Sequence, residues 1–191
     1  MSTQPATRDD DGFTLVEMIV ASMLFSLVFL VISGIVISTV MTQQTVTSVA
    51  TSTTDAQLAA TTIDERIRNS SEFQVTNVGT SDQLLVARVA GSGTTITWSC
   101  YGWYYSAADG GSIRMTNTAA GTKITTPTSA QLASWTLLLD GVTPRSGTHV
   151  FTATGTQLAV GFDSTAGDNH PVAIDFTTAR ITGVSEVLAC Y

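Results

Sequence analysis

A single carboxylate, Glu17, interrupts an otherwise apolar stretch of the sequence. Residues 13–41 form a run in which Glu17 is the one charged side chain. Because a charge at membrane depth costs at least about 2.5–3.5 kcal/mol, a segment that served only as an anchor would avoid it. Glu17 is therefore expected to have a positively charged partner. A free amine would arise nearby if the chain were cut before Phe13, and the preceding Gly12 is small enough for a protease to approach the backbone closely.

The apolar run is long enough to cross a membrane as a helix. About 20 apolar residues suffice for a membrane-spanning helix, whereas the apolar core of a cleaved secretory signal has about 7–15. Two other interpretations stay open: a signal cleaved near residues 48–50, Ser-Val-Ala, and a helix buried in a protein core. The buried helix is the poorer of the two, because no other long helix is expected to pack against it.

Residues 12–17, Gly-Phe-Thr-Leu-Val-Glu, followed by the apolar run, resemble the leader motif of type IV prepilins. The resemblance covers residues 6–41 directly. It implies that a prepilin peptidase cuts after Gly12 and N-methylates Phe13, and that Glu17 neutralises the N-terminal amine of a neighbouring subunit. Leaders of this family are usually basic, whereas this one has Arg8 and three aspartates. Acidic residues count little in the positive-inside rule, so the orientation is not contradicted.

The same resemblance implies a location and a set of partners. The expected location is that of a single-pass membrane precursor that becomes part of an extracytoplasmic filament at the cell surface. The expected partners are the prepilin peptidase, other pilin or pseudopilin subunits, an inner-membrane assembly platform and membrane lipid. In related filaments the helix loosens near a position such as Gly34; a glycine tolerated in a lipid-facing helix is the alternative. Residues 137–142, Leu-Leu-Leu-Asp-Gly-Val, followed by strands of alternating apolar residues, are similar to part of the head of minor pilins and of type II secretion minor pseudopilins, a looser resemblance that covers residues 63–180.

The sequence predicts four regions and an α+β fold. Residues 1–12 are expected to be a leader peptide, 13–41 a transmembrane and assembly helix, 42–70 an amphipathic helix and 71–191 a β-rich globular head. The expected architecture is a long N-terminal helix packed on an antiparallel sheet, as in pilins. The amphipathic helix is predicted from side chains that recur every three or four residues: Val46, Val49, Thr53, Ala56, Ala60, Ile63 and Ile67.

Beyond residue 70 the pattern changes to alternation of apolar and polar residues, which is typical of strands. Turns are predicted at the glycine-containing residues 91–93, 109–111 and 154–156. Residues 131–142 fit either a short helix or a strand followed by a turn. Strands are predicted at residues 72–77, 84–90, 94–105, 112–117, 149–154, 157–162, 173–178 and 186–191.

The two cysteines of the chain, Cys100 and Cys190, are expected to form a disulfide if the head is exported to an oxidising compartment. Such a bond would tie the last predicted strand to the middle of the head. Loop-entropy models give about 4–5 kcal/mol for a loop of that size. Two unrelated buried thiols are the alternative interpretation.

Several kinds of chemistry are disfavoured by the composition. A net charge of −7 leaves no basic face to neutralise phosphates, so nucleic-acid binding is not expected. Neither His149 nor His170 has a second ligand at metal-site spacing. Asp163, Asp168 and Asn169 could hold calcium, although their loop fits an ordinary turn equally well. No nucleophile or phosphate-loop motif is present, so no cofactor and no enzymatic activity are expected; the chain is instead a substrate of the peptidase.

Aromatic residues on the predicted strand 94–105 carry a second hypothesis. Trp98, Trp103, Tyr104 and Tyr105 fit cross-strand packing in a core, or a face that contacts a partner or a glycan. With an exposed face, the chain would be a membrane-tethered binding or adhesion module that does not polymerise. Glu17 separates the two hypotheses, because a tether has no use for its carboxylate. An exported enzyme with an uncleaved anchor is a third possibility, which no motif supports.

Overall fold

The computed structural model describes residues 14–165, 171–181 and 190–191. It begins with one long helix, α1 (Leu15–Arg68), and continues into antiparallel strands and a short helix, α2 (Ser129–Ala133). This α+β layout confirms the predicted combination of a long apolar N-terminal helix with antiparallel sheet structure. The strands within the described residues are β1 (Ser70–Val78), β2 (Asp82–Ala90), β3 (Trp98–Ser106), β4 (Ser112–Ala119), β5 (Thr136–Asp140), β6 (Val142–Pro144), β7 (Phe151–Thr154), β8 (Gln157–Ser164) and β9 (Val172–Ala179).

The chain divides into two compact units, one ending at Thr45 and the other beginning at Val46. In the second unit one side of α1 packs against the strands. Ala60 was predicted to lie on the packed side, but Ala59 is buried instead. Ala59 has the helical spacing, three residues after the buried Ala56 and four before the buried Ile63. Val46 was also assigned to the packed side, but it is 63% exposed. The buried side chains of α1 are Ala56, Ala59, Ile63 and Ile67.

α1 ends at Arg68, two residues before the predicted end. Ser70 already belongs to β1, and its hydroxyl donates a hydrogen bond to the carbonyl oxygen of Ile67 (2.7 Å). Serine competes in this way with the backbone hydrogen bonds of a helix, which favours an end at such a residue. The chain therefore passes from helix to strand almost without a connecting loop.

β1 to β5 form an antiparallel sheet in sequence order, and its second strand is buried on both faces. On one face, Leu85 and Ala87 pack in the same cluster as α1. On the other face, Leu84 and Val86 pack with a cluster that includes the two cysteines. A strand covered on both faces has an almost continuous apolar sequence, as residues 82–90 do.

A second antiparallel sheet is built around β8, which pairs with β9 along one edge and with β6 and β7 along the other. The sequence predicted one antiparallel sheet, whereas the described residues form two. Residues 154–156 form the predicted turn: Thr154 pairs with Gln157, and Gly155 has a φ of 61°, which glycine adopts without strain. Phe162 and Phe151 of this sheet are buried in the cluster that contains the packed side of α1.

The buried side chain of Gln83 joins the two sheets. Its Oε1 accepts hydrogen bonds from the N–H groups of Val150 (2.8 Å) and Phe151 (2.9 Å). Its Nε2 donates to the Phe151 carbonyl (2.9 Å) and to Oδ1 of Asn77 (2.9 Å). Gln83 is 1% exposed, and its burial is tolerated because every hydrogen-bonding group of its amide has a partner.

Several predicted strand limits differ from the structure. Residues 94–97 are not in a strand, and β3 begins at Trp98. β7 begins at Phe151 instead of residue 149, since the Gln83 amide binds the backbone just before it. Residues 131–142 contain both predicted alternatives, because α2 is followed by β5, a turn at Gly141 and β6. Of the predicted strand 186–191, residues 186–189 lie outside the described residues, while Cys190 and Tyr191 are not in a strand.

Candidate functional site

The first turn of α1 contains the residues of the leader motif that the structure describes. The hydroxyl oxygen of Thr14 accepts a hydrogen bond from the N–H of Glu17 (3.3 Å), so Thr14 caps the helix. Thr14 and Glu17 have the spacing of a capping box, a second meaning of the motif that the sequence analysis missed. Gly12 and Phe13, the predicted cleavage and methylation positions, lie outside the described residues.

The carboxylate of Glu17 is exposed and has no hydrogen bond or ion pair among the described residues. A negative charge in the first turn of a helix interacts favourably with the helix dipole, by about 0.3–1 kcal/mol in water. That gain is smaller than the cost of a charge at membrane depth, which is at least about 2.5–3.5 kcal/mol. The helix alone therefore does not account for a carboxylate at this position.

The apolar segment of α1, residues 15–45, has no buried side chain. Large apolar side chains such as Phe25, Leu30 and Ile35 are 62–70% exposed. α1 is the helix in the described part of the chain whose length and composition would allow it to cross a membrane. Some hydroxyls of the segment are satisfied locally: those of Ser26 and Thr39 donate to carbonyl oxygens one turn earlier (2.8 and 2.9 Å). Such bonds let a helix with hydroxyl side chains lie in an environment that offers no hydrogen-bond partners.

Gly34 lies in the apolar segment with open space around it. A Cβ atom added there would meet nothing within 4 Å, so the glycine is not required for close packing inside the described chain. Both interpretations of Gly34 remain compatible with this geometry, because loosening of the helix would depend on neighbouring subunits and tolerance of the glycine would depend on lipid.

Cys100 and Cys190 form a disulfide, as predicted. The bond holds Cys190 against the face of the five-stranded sheet that is opposite α1, where its carbonyl oxygen accepts a hydrogen bond from the N–H of Ile124 (2.8 Å). Ile124 in turn lies over Gly102, where a Cβ atom would come within 2.9 Å of the isoleucine side chain. The disulfide therefore fixes the position of residues around Ile124 as well as that of the cysteines.

The aromatic residues of β3 belong to the core. Trp103, Tyr104 and Tyr105 are 0%, 6% and 2% exposed, so they offer no face to a partner or a glycan. Trp98 is half-buried, and the guanidinium of Arg88 lies 5.1 Å from its ring centroid. The cross-strand packing interpretation is therefore confirmed for Trp103, Tyr104 and Tyr105, and the prediction that these three contribute to an exposed aromatic face is wrong.

Arg88 is a buried cation that the sequence analysis did not identify. Its side chain is 3% exposed, its Nε donates to the hydroxyl of Ser71 (2.7 Å), and Oε1 of Glu72 lies 3.7 Å from that nitrogen. A buried charge is tolerated only with such partners. In the sequence, Arg88 could have been noticed as a charged residue among the apolar residues of β2. In the structure its contacts with Ser71 and Glu72 are structural.

The weak calcium candidate is not assembled by the described residues. Asp163 lies 3.7 Å from the guanidinium of Arg145, while Asp168 and Asn169 are outside the described residues. His149 contacts the hydroxyl of its neighbour Thr148 (3.1 Å). Within the part of the chain that the structure describes, no group of three or more metal-binding side chains is found.

A polar cleft of about 540 Å³ lies between α2 and the β3–β4 connection. The Tyr104 hydroxyl donates to Oδ2 of Asp82 (2.9 Å), and Oδ1 of Asp82 accepts from the N–H of Ala107 (2.8 Å). Burial and the hydrogen bond to Asp82 raise the pKa of Tyr104 to about 12. Arg114, in the same cleft, donates to the carbonyl of Trp135 (3.4 Å). These groups hold the surrounding backbone in place, and none is positioned as a nucleophile next to a base.

Comparison with known proteins gives no family assignment for this arrangement. No protein-family model matches the chain, and neither the curated proteins nor the solved structures give a significant match.

Proposed function

We propose that the chain is a structural subunit, of the minor pilin type, of a type IV pilus or of the related type II secretion pseudopilus. A membrane-inserted precursor is cut after Gly12, and the product assembles into a filament through the apolar segment of α1. The observation that carries this proposal is the exposed carboxylate of Glu17, which has no partner among the described residues and lies in the first turn of a helix whose following residues are exposed and apolar.

The exposure of the apolar segment supports burial by lipid first and by other subunits later. Burial of apolar surface is favourable by about 25 cal/mol per Å², so a segment with no internal cover gains free energy in either environment. Lipid tails and apolar helices are similarly apolar surroundings for such side chains. Moving the segment from lipid into a filament therefore does not by itself determine how neighbouring subunits align.

Glu17 supplies the missing specificity in this scheme. A carboxylate and an N-terminal ammonium group are each costly in an apolar environment, and bringing them together removes part of both costs. The amine comes from Phe13 of a neighbouring subunit after cleavage. Pairing therefore occurs only between a processed chain and its neighbour, and it fixes the axial position of one helix against the next.

Processing is tested by co-expression with a prepilin peptidase, followed by intact mass measurement and N-terminal sequencing of the membrane-extracted product. A product that begins with N-methylated Phe13 is expected. A product that begins at residue 1 or 2 would instead indicate a membrane-tethered domain, and one that begins near Thr51 would indicate an ordinary secreted protein.

Assembly is tested separately with Glu17→Leu and Glu17→Gln. Both variants are expected to be cut and to remain in the membrane, while their amount in the sheared filament fraction falls at least about tenfold, because an unpaired ammonium is left in an apolar interface. Asp55→Leu is the matched control, since it removes another exposed carboxylate of the same helix beyond the apolar segment. Normal filament incorporation of Glu17→Leu would contradict the proposed role of Glu17.

A further inference from the structure

A groove of about 240 Å³ lies on the face of the five-stranded sheet opposite α1. Thr116 of β4 lies on this face, because it pairs directly with Gly102, which faces Ile124. We refer to it as the Trp135 groove. The lining residues used below are Thr116, Lys123, Gln131 and Trp135.

Charge distinguishes the Trp135 groove from the rest of the surface. Lys123 is the single lysine of a chain with net charge −7, and the described residues that line the groove include no carboxylate side chain. Lys123 is exposed and has no hydrogen bond, ion pair or ring contact among the described residues. The arginines of the described residues all have such a contact: Arg66 with Tyr101, Arg68 with Asp64, Arg88 with Ser71, Arg114 with Trp135, Arg145 with Asp163 and Arg180 with Ser71.

The backbone on both sides of Lys123 is held in place. The next residue, Ile124, is 5% exposed, packs against Gly102 and donates its N–H to the carbonyl of Cys190. On the other side, the hydroxyl of Thr118 donates to the carbonyl of Thr122 (3.1 Å). A ligand that bound Lys123 would therefore order one side chain and not a loop, which lowers the entropic cost of binding.

Hydrogen-bond groups and an aromatic ring also line the groove. Oε1 of Gln131 accepts from the N–H and the hydroxyl of Thr128 (2.9 and 3.0 Å), which leaves the amide NH₂ without a partner among the described residues. The hydroxyl of Thr116 is likewise without a partner there. The half-buried ring of Trp135 packs in a T-shaped arrangement with the ring of Tyr104, with centroids 6.4 Å apart and planes at 84°.

We propose that the Trp135 groove binds a carboxylate-bearing sugar unit, such as a uronic acid within an acidic polysaccharide. An aromatic ring packs against the C–H face of a sugar, amide and hydroxyl groups match its hydroxyls, and a lysine matches its carboxylate. The groove is smaller than the pockets of about 300–1,000 Å³ that hold drug-sized ligands, so it suits one sugar ring of a longer chain. The residues all lie in the second unit, and the site does not depend on filament assembly.

Calorimetry on the full chain in detergent, with trigalacturonic acid as the probe and maltotriose as the uncharged probe, tests the assignment. Trigalacturonic acid is expected to bind more tightly than maltotriose by about tenfold or more. Lys123→Met should remove that preference, whereas Lys123→Arg should keep most of it. Thr116→Val, which removes one hydroxyl at nearly constant shape, should weaken binding of both probes a few-fold.

Arg68→Met is the matched charge control, because Arg68 is an exposed cation of the same unit that does not line the groove. It should bind trigalacturonic acid as the unaltered chain does. Absence of trigalacturonic acid binding, equal affinity for both probes, or equal losses in Lys123→Met and Arg68→Met would each overturn the proposal. Lys123 is exposed, so its replacement does not threaten the fold.

Discussion

The two parts of α1 have the same secondary structure and opposite solvent exposure. Ile35, in the apolar segment, is 62% exposed, whereas Ile63, in the second unit, is fully buried. Apolar residues surround the helix in residues 15–45, but they occupy one side of it in the part that packs on strands. An amphipathic helix is covered by its own domain, whereas a helix that is apolar all round needs a membrane or a partner.

The comparison also separates two sources of helix stability. In the second unit the helix is stabilised by burial against the sheets, which is the usual source in globular proteins. In the apolar segment no tertiary contact is available within the described residues, so the helix relies on its backbone hydrogen bonds, on the Thr14 cap and on its surroundings. Matched changes in the two parts should therefore have different consequences.

The largest difference is expected between Ile63→Ala and Ile35→Ala. The buried change leaves a cavity and should lower the free energy of unfolding of the second unit by about 4 kcal/mol. The exposed change has the same effect on helix propensity and should alter that free energy by less than about 0.5 kcal/mol. Urea unfolding in detergent, followed by tryptophan fluorescence, measures this, because Trp98, Trp103 and Trp135 all lie in the second unit. Similar losses in both variants would break the distinction.

A somewhat smaller loss is expected when the disulfide is removed. Cys100→Ser combined with Cys190→Ser should destabilise the second unit by about 3 kcal/mol, mainly through a less constrained unfolded chain. Helicity of the apolar segment, measured by circular dichroism at urea concentrations that unfold the second unit, should not change. A reduced but unaltered chain is the control, and it should match the double variant. Full stability of the double variant would contradict the expectation.

The smallest effect is expected from alkaline pH. The pKa of Tyr104 is raised from 10.0 to about 12 by burial and by its hydrogen bond to Asp82. The neutral phenol is favoured in the folded state, so its contribution is complete below pH 10 and is lost as the pH rises towards 12. Burial also raises the pKa of Tyr105 and Tyr191, so they add to the same loss. The urea midpoint should therefore fall between pH 9 and pH 11.

Tyr104→Phe sharpens this test. The variant should be less stable at pH 9, by about 1 kcal/mol for the lost hydrogen bond, and should lose less stability than the unaltered chain between pH 9 and pH 11. Residues 15–45 contain no tyrosine, so the helicity of the apolar segment should stay constant over this range. Identical pH slopes for both chains would show that Tyr104 does not contribute.

Features that depend on local pattern could be predicted from the sequence. The apolar segment, the packed side of α1 and most strands follow from periodicity alone, and the disulfide was predicted from the two cysteines of the chain on the condition that the head is exported. Glu17 stands out for the same reason, because one charge in a long apolar run is visible without a structure. The cleavage position and the pairing of Glu17 remain predictions.

Features that depend on long-range packing could not be predicted. The Trp135 groove needs residues of β4, of the loop at Ile124 and of the segment after α2 in one place, and they meet partly because Cys190 holds Ile124. The alternation that places Trp103 on a strand does not say whether both faces of that strand are covered. The contact between the two sheets involves Gln83 and backbone groups that are 67 and 68 residues away in sequence.

The bond between Cys100 and Cys190 also determines how the head responds to a pulling force. The two cysteines are 90 positions apart, and the disulfide closes the chain between them into a loop. A force that pulls on the ends of the chain passes through the disulfide and does not stretch the residues inside that loop. At about 3.3–3.6 Å per extended residue, roughly 300 Å of chain is thereby withheld from stretching. Under load, the intact head can lengthen only through residues outside this loop, such as those that precede Cys100. The disulfide thus limits how far the head can be extended by force, and its reduction would allow the residues between the cysteines to extend as well.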